Sequence, residues 1–139
     1  PRPYALGADD AAAHALVLDA FRDVPGHVDR GLDEWRAMAV GSAQFAADLS
    51  TVAGSFAGVA LCQRWEDRGY IAYLATARDW RGRGLGRALL ASSLAKIHAA
   101  GFEHAVLVVN DRNESATRLY ESVGMKIASR SERWDKRLA

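Results

Sequence analysis

The chain has 139 residues, half of them hydrophobic, and a formal net charge of +1. This length suits one domain with a buried core, so residues 1–139 are expected to form a single domain. A nearly neutral chain is not held on nucleic acid by overall basicity, which disfavours a nucleic-acid partner. The single cysteine, Cys62, excludes a disulfide within the chain and a metal site built from cysteines.

Membrane and metal functions are also disfavoured. No apolar run is long enough to cross a membrane, and no secretory signal precedes the first predicted element. The four histidines are scattered and lack the paired spacing of a metal site. We therefore expect a cytoplasmic protein with no membrane partner and no metal ligands.

Two helices are predicted in the first third of the chain. Asp9 and Asp10 are residue types that cap helices, and they precede a helical segment over residues 11–21. Asp33 and Glu34 open a second, shorter helix. The segment between the two helices contains Pro and Gly, which end the first one.

The next segments predict strands. Residues 49–53 and 56–63 form a predicted hairpin about a turn at Gly54 and Ser55. The apolar run over residues 70–77 predicts a further strand.

The second half of the chain predicts alternating elements. A helix over residues 88–100 precedes a short apolar strand over 105–109, which is expected to be buried on both faces. A helix over 114–123 is stopped by Gly124, and residues 125–138 alternate enough for one or two closing strands. Together the segments predict an α/β fold.

The most informative segment runs from Trp80 to Arg87, between the predicted strand and helix. Its three glycines at alternate positions, Gly82, Gly84 and Gly86, leave the backbone open to close approach by a ligand. The helix that follows points its free N–H groups and positive dipole end at the same place. Such a site favours an anion, most often a phosphate.

The charge of this segment agrees with an anionic ligand. With the two residues before it included, the stretch 78–87 has four arginines and one acid and a net charge of +3, the residues being Arg78, Arg81, Arg83, Arg87 and Asp79. Arginines at a helix start oppose the helix dipole, and a bound phosphate would offset that conflict.

Two common phosphate-binding motifs do not fit. A P-loop needs a lysine and a hydroxyl after its last glycine, and this segment has neither. A dinucleotide fingerprint needs a third glycine, but that position is Arg87 when counted from Gly82 and Leu89 when counted from Gly84. What remains is the pattern R-x-x-G-x-G, which begins at Arg81.

That pattern resembles the acetyl-CoA loop of the GCN5-related N-acetyltransferase (GNAT) superfamily. Residues 113–125 resemble the family's segment N-x-x-A-x-x-L-Y-x-x-x-G-F, with Met125 for the usual phenylalanine. The resemblance covers residues 70–125, and residues 1–4 resemble the family's first strand. It implies a GNAT fold, with a mixed, mostly antiparallel central sheet flanked by helices and one β-α-β crossover that binds acetyl-CoA.

The resemblance also implies roles for individual residues. The strand residues Leu74, Ala75 and Thr76 would separate from the neighbouring strand, bind the pantetheine arm and polarise the thioester carbonyl. The acetyl-CoA loop would comprise Arg81, Gly82, Arg83, Gly84, Leu85, Gly86 and Arg87. Asn113, a suitable helix N-cap in any case, would contact the pantetheine. Tyr120 would protonate the departing thiolate, the alternative being a plain core tyrosine.

The general base is not assigned. Amine attack on a thioester needs a group that removes a proton. Many relatives carry a glutamate eight positions before the arginine of the loop, and here that position is Tyr73. Three alternatives stay open: a water relay, a base elsewhere such as Glu66, Asp67 or Asp111, or an acceptor amine of low pKa.

The sequence therefore predicts an N-acetyltransferase that moves an acetyl group from acetyl-CoA to an amine of an unidentified acceptor, by direct attack in a ternary complex. Cys62 lies in the predicted hairpin, which disfavours a covalent acyl-cysteine route. The alternative function is a non-catalytic acyl-CoA-binding module, a degenerate half of a tandem enzyme. The order Phe21, Trp35, Leu49 before the loop resembles the C-terminal half of tandem-domain acetyltransferases related to mycothiol synthase. A second GNAT domain or a homodimer is therefore a candidate partner.

Overall fold

The computed structural model describes residues 1–22, 29–108, 114–124, 126–127 and 133–138. Its strands are β1 (Arg2–Pro3), β2 (Thr51–Ala53), β3 (Gly58–Arg64), β4 (Arg68–Thr76), β5 (His104–Val108), β6 (Lys126–Ile127) and β7 (Arg133–Arg137). Its α-helices are α1 (Asp10–Phe21), α2 (Leu32–Ala39), α3 (Leu85–Ala99) and α4 (Glu114–Ser122). Two short 3-10 helices cover Ala47–Leu49 and Arg78–Trp80.

The strands form one mixed sheet in the order β1-β2-β3-β4-β5-β7-β6. Neighbouring strands are antiparallel except β4 and β5, which are parallel and are joined through α3. A tight turn reverses the direction of the chain and therefore joins antiparallel strands. Two parallel neighbours need a longer crossover connection, here a helix. The predicted α/β fold, with its mostly antiparallel sheet and its single β-α-β crossover, is confirmed.

The start of α1 differs from its predicted capping. Asp9 does occupy the N-cap position, but its carboxylate makes no capping bond to the helix. It accepts hydrogen bonds of 2.7 and 2.8 Å from Arg2 and one of 2.7 Å from the N–H of Ala5. The Asp10 carboxylate accepts a 2.8 Å bond from the Tyr4 hydroxyl. Both acids therefore tie the β1 segment to α1 instead of capping the helix.

The predicted hairpin turn at Gly54 and Ser55 is longer in the structure and spans residues 54–57. Phe56, which was predicted to lie in the strand, has a φ of +60°, a conformation rare for a bulky side chain. Its ring packs against the core on the α1 side and lies 5.8 Å from the Arg2 guanidinium. β3 therefore begins two residues later than predicted because the ring is anchored in the turn.

Hydrophobic side chains form a core on each face of the sheet. The α3-side core contains the buried residues Ala46, Leu49, Cys62, Ile71, Leu90, Leu94, Ile97, Ala105, Leu107, Tyr120 and Leu138. The α1–α2-side core contains Tyr4, Ala13, Leu16, Val17, Ala20, Trp35, Ala39, Val40, Val52, Val59, Leu61 and Ala75. In β5, Ala105, Val106 and Leu107 are almost fully buried, which confirms a strand covered on both faces.

A β-bulge in β4 decides which of its side chains face each core. Leu61 pairs with Tyr73, but the next residue, Cys62, pairs with Ile71, so Ala72 is the extra residue. Ile71 packs in the α3-side core, whereas Tyr73 packs against the α1–α2-side core. Without the bulge, the period-two alternation of a strand would direct both side chains to the same face.

Candidate functional site

The candidate site begins where β4 and β5 separate. Within the described residues, the parallel pairing ends at Tyr70 and Val106, although β4 continues to Thr76 and β5 to Val108. On its other side β4 stays paired with β3 along this stretch. Alternate N–H and C=O groups of residues 71–76 therefore point to an edge that β5 does not fill. That edge contains the predicted pantetheine-binding residues Leu74, Ala75 and Thr76.

The glycine loop faces open space at the start of α3. The helix begins at Leu85, three residues before the predicted segment, and its N-cap Gly84 has a φ of +81°. A Cβ atom on Gly84, or on Gly82 with its φ of +75°, would meet no protein atom within 4 Å. The first helical bond joins the N–H of Ala88 to Gly84 O, so the N–H groups of residues 85–87 have no acceptor within the helix. Open backbone donors at a helix start are suited to an anion.

Gly86 and Leu85 contact the protein rather than open space. A Cβ on Gly86 would lie 3.5 Å from Thr76 Oγ1 and 3.7 Å from Leu119 Cδ2, which are ordinary contact distances. The half-buried Leu85 side chain packs into a small cluster with Leu89. Gly86 therefore lies where the end of β4, the start of α3 and the α4 helix meet, and Leu85 presents only its backbone to the loop.

Two of the four arginines in residues 78–87 bind the end of α1. Arg81 Nη2 donates a 2.8 Å hydrogen bond to the carbonyl of Ala20. Arg78 Nη2 donates a 3.1 Å bond to the carbonyl of Asp19, and its Nε lies 3.3 Å from the Asp19 carboxylate. Neither contact was predicted, because the two partners lie about sixty residues apart in the sequence.

The other two loop arginines, Arg83 and Arg87, are exposed. Within the part of the chain that the structure describes, no hydrogen bond or ion pair engages their guanidinium groups. The Arg83 guanidinium lies over the ring of Trp80, 5.1 Å from its centroid, and Trp80 is 44% exposed. These two side chains and the start of α3 supply the positive potential that an anion at the loop would meet.

Tyr120 lies in the α3-side core with 8% of its surface exposed, in the cluster that also contains Ile71 and contacts Leu74. Burial raises the pKa of its phenol to about 12, so the hydroxyl stays protonated at neutral pH. A protonated hydroxyl can donate a proton, and the side chain belongs to the same cluster as two residues from the unpaired stretch of β4. Asn113, the predicted pantetheine contact, and Asp111 lie outside the described residues.

Tyr73 lies on the opposite face of β4. Its ring stacks on Phe21 at 6.3 Å and lies 5.9 Å from Trp35. Burial raises the pKa of its hydroxyl, so it is a poor base at neutral pH. Trp35, which packs beside it, is 3% exposed. The wall beside the edge is therefore aromatic, and the position that many relatives fill with glutamate holds no carboxylate.

Asp67 and Glu66 lie in the turn before β4, at the far end of the strand from the glycine loop. The eight steps from Arg68 to Thr76 correspond to about 26 Å of extended strand. Arg68 donates two 2.8 Å bonds to the Asp67 carboxylate, and this pairing lowers the pKa of Asp67 to about 2. A carboxylate with so low a pKa is a weak base, and it lies at the opposite end of β4 from residues 74–76, so Asp67 is not suited to remove a proton there.

Cys62 is fully buried in the α3-side core. Burial raises the pKa of its thiol to about 12, so it is protonated and unreactive at neutral pH. Over the described ranges, no group of three or more His, Cys, Asp or Glu side chains could hold a metal ion. No described helix is long and apolar enough to cross a membrane.

Comparison with known proteins gives a family match over most of the chain. The sequence model of the acetyltransferase (GNAT) family matches residues 12–125. The mycothiol acetyltransferase of Nocardiopsis dassonvillei is 31% identical over 136 aligned residues, which cover 88% of this chain and 41% of that protein. The chain therefore spans about two-fifths of the length of this curated relative.

Solved structures share the fold. A GCN5-related N-acetyltransferase from Sphaerobacter thermophilus superposes with a TM-score of 0.75 at 25% identity, covering 98% of this chain and 44% of that one. The yncA protein of Salmonella typhimurium, solved with its cofactor acetyl-CoA, gives a TM-score of 0.72 at 17% identity over 98% of this chain and 92% of that one. Since the family match includes both the divergent strands and the glycine loop, the chain belongs to the acetyltransferase (GNAT) family, in which acetyl-CoA is the acetyl donor.

Proposed function

We propose that the chain is an N-acetyltransferase that transfers the acetyl group of acetyl-CoA to an amine, by direct attack in a ternary complex. The observation that carries this proposal is the unpaired edge of β4 leading to the open start of α3. One ligand that is extended at one end and anionic at the other would use both features. Acetyl-CoA has this form, and the Salmonella neighbour was solved with it.

Donor binding would rest mainly on the backbone. The N–H groups of residues 82–87 would hold the pyrophosphate, with Arg83 and Arg87 adding charge. The pantetheine arm would pair with the free edge of β4 at residues 74–76, as an added strand would. A Cβ added to Gly86 would touch Thr76 Oγ1, so the end of this edge lies beside the loop.

Catalysis would rest on positioning and on two kinds of donor. Backbone N–H groups on the β4 edge would polarise the thioester carbonyl. The Tyr120 hydroxyl, protonated at neutral pH, would donate its proton to the departing thiolate. The buried and protonated Cys62 supports direct attack by the amine rather than an acyl-cysteine intermediate.

The amine itself would have to lose a proton without help from a carboxylate at Tyr73. Since Asp67 has a low pKa and Glu66 lies in the turn before β4, we favour a water molecule or an amine of low pKa over these two carboxylates, and Asp111 stays an alternative outside the described residues. If no side chain acts as the base, the acidic limb of kcat/KM should follow the pKa of each amine. Two accepted amines whose pKa values differ by about two units should then give acidic limbs whose apparent pKa values also differ by about two units.

A screen for CoA release tests the proposal. The purified chain and acetyl-CoA are incubated with small α-amines, aminoglycosides and peptides with free N-termini, and the free thiol is measured. At least one amine should release CoA well above hydrolysis, and the Gly84→Val variant should not. If no amine exceeds the hydrolysis background while acetyl-CoA still binds, the chain is the non-catalytic binding module instead.

We also propose that residues 1–139 form one GNAT domain, because a single sheet connects all the described strands. The Nocardiopsis relative is more than twice as long as this chain, which supports a second domain or a second copy as a partner. Native mass measurement of the purified chain should give either a monomer or a homodimer. A monomer that is fully active would show that no second copy is needed.

A further inference from the structure

We propose that Arg78 and Arg81 are positioning residues that couple the glycine loop to the aromatic wall at the end of α1, and that the Arg81 side chain is not a phosphate ligand. This differs from the role that the family resemblance implies for Arg81. It rests on donor binding at the loop and not on the identity of the acceptor.

The contacts that carry the proposal meet at the C-terminal end of α1. The last carbonyls of a helix lack intrahelical donors, and the negative end of its dipole favours a cation. Arg81 donates to the carbonyl of Ala20 at 2.8 Å, and Arg78 donates to the carbonyl of Asp19 at 3.1 Å. Arg78 also lies 3.3 Å from the Asp19 carboxylate. Two guanidinium groups therefore hold one helix end.

Both arginines come from the 3-10 segment between β4 and the glycine loop. Arg78 is the first residue of that 3-10 helix, and Arg81 follows its last residue. The N–H of Arg81 donates to the carbonyl of Arg78 at 3.2 Å, which links the two within the turn. A shift of the loop on binding a ligand would therefore be transmitted to the end of α1.

The end of α1 carries part of the aromatic wall. Phe21 is the last residue of the helix, and its ring stacks on Tyr73 at 6.3 Å with an interplanar angle of 22°. Tyr73 lies on the stretch of β4 that β5 leaves unpaired. The α3-side core fills the other face of this stretch. Holding α1 in place therefore holds the wall that an acceptor would meet beside the donor.

The charges of the loop support the division of roles. If Arg81 moved onto a phosphate, the carbonyl of Ala20 would lose its cationic donor at the helix end. Arg83 and Arg87 are exposed and make no ion pair within the described ranges, so they can approach an anion at no such cost. The phosphate charge is thus met by one pair of arginines while the other pair holds α1.

Two matched variants separate these roles, because Arg81→Ala and Arg83→Ala each remove one guanidinium from the same loop. Coenzyme A affinity is measured by calorimetry. Arg81→Ala should stay within about twofold of wild type, whereas Arg83→Ala should bind about tenfold more weakly because it loses a charge-assisted contact. Equal losses of affinity in the two variants would make Arg81 a phosphate ligand and would overturn the proposal.

Hydrogen exchange at residues 17–22, with and without coenzyme A, tests the coupling. In the wild type the ligand should slow exchange there. In Arg81→Ala the basal exchange should be about tenfold faster, and the ligand should no longer slow it. In Arg83→Ala, saturating coenzyme A should still slow exchange at residues 17–22. In Arg81→Lys, the ligand should slow exchange there in part. A helix end with only a structural contact would show the faster exchange but no dependence on coenzyme A in the wild type.

Two outcomes would contradict the coupling: exchange at the α1 end that ignores coenzyme A in the wild type, or an unchanged exchange rate in Arg81→Ala. Should Arg81→Ala fail to fold, Arg78→Ala and Arg81→Lys permit the same measurements. No acceptor is needed, so a failed amine screen leaves this test intact. The two proposals can therefore fail separately.

Discussion

The two faces of the sheet would recognise ligands in different ways. Toward α3, the groups that face the site are backbone N–H donors at an open strand edge and at a glycine-rich helix start. Toward α1 and α2, the facing groups are the large side chains of Phe21, Trp35 and Tyr73, which come from three separate elements. Recognition by the backbone depends on residue spacing within one segment and can therefore be seen as a sequence motif. A wall of side chains from separate elements produces no such motif.

The faces also differ in charge. The loop next to α3 presents Arg83, Arg87 and a helix start, which together favour an anion. The opposite wall presents the rings of Phe21, Trp35 and Tyr73, with no carboxylate among these packed side chains. A donor bound at the loop would thus be selected mainly by charge, and an acceptor at the aromatic wall mainly by shape.

The largest expected effect lies on the donor side. Gly84→Val should reduce acetyl-CoA affinity by at least about a hundredfold, because its side chain would fill the space that the pyrophosphate needs. The positive φ of Gly84 adds strain, so some loss of stability is expected as well. Calorimetric titration with acetyl-CoA measures the loss.

Gly101→Val is the matched control for that variant. Gly101 has a φ of +98° and open space around its Cβ position, but it lies at the other end of α3. It should lose similar stability and keep wild-type affinity. If both variants bind acetyl-CoA equally well, the glycine loop is not the phosphate site. The proposed difference between a charged donor face and an aromatic face would then be wrong.

Tyr120→Phe should lower kcat and kcat/KM together by about a hundredfold, the low end for a general acid, with little change in acetyl-CoA affinity. The hydroxyl would act only when charge develops on sulfur, whereas the ring keeps its packing. Tyr70→Phe, a tyrosine of β4 outside the α3-side core, is the control and should be nearly silent. Wild-type turnover by Tyr120→Phe would mean that water supplies the proton.

The raised pKa of Tyr120 predicts a pH dependence with a definite sign. The fold favours the neutral phenol, so its contribution to stability is complete below the usual pKa of 10.0 and is lost as the pH rises toward about 12. The rate profile should likewise show no basic limb from this residue below about pH 11. A basic limb near pH 9 that disappears in Tyr120→Phe would contradict the raised pKa of the buried Tyr120 hydroxyl.

Gly69→Ala tests how tightly α3 packs on the sheet. A Cβ there would lie 2.5 to 2.8 Å from three atoms of Ile97, so the free energy of unfolding should fall by about 1–3 kcal/mol. Gly31→Ala, with open space around it, should change little. Adding Ile97→Ala should make the pair less destabilised than the sum of the single changes. Additive losses in thermal or urea unfolding would show that the two positions do not conflict.

The smallest effect on activity is expected at Cys62. Its thiol is buried and its pKa is raised to about 12, so the folded protein should resist alkylation at pH 8. Cys62→Ala should keep turnover with any accepted amine. Rapid alkylation that abolishes turnover in the wild type would reopen the acyl-cysteine route.

The position and backbone conformation of the glycine loop were predictable because they depend on residues next to one another. The glycines Gly82 and Gly84 have the positive φ values that such a loop requires, and α3 starts beside them. The roles of Arg78 and Arg81 were not predictable in this way. Their charge alone suggested a phosphate, and nothing local indicates that Asp19 and Ala20 lie within hydrogen-bond distance.

The sequence by itself determined the α/β order and the position of the glycine loop, because helix and strand periodicity and glycine spacing are local properties, and its motifs indicated the family by resemblance. Only the tertiary structure decided which face of the sheet carries the Tyr73 side chain, because the bulge at Ala72 depends on the register between β4 and β3. The opening of β4 toward β5 was likewise decided by pairing between distant segments. Strand register and helix-end contacts are set by which surfaces bury one another, and a linear pattern does not contain that information.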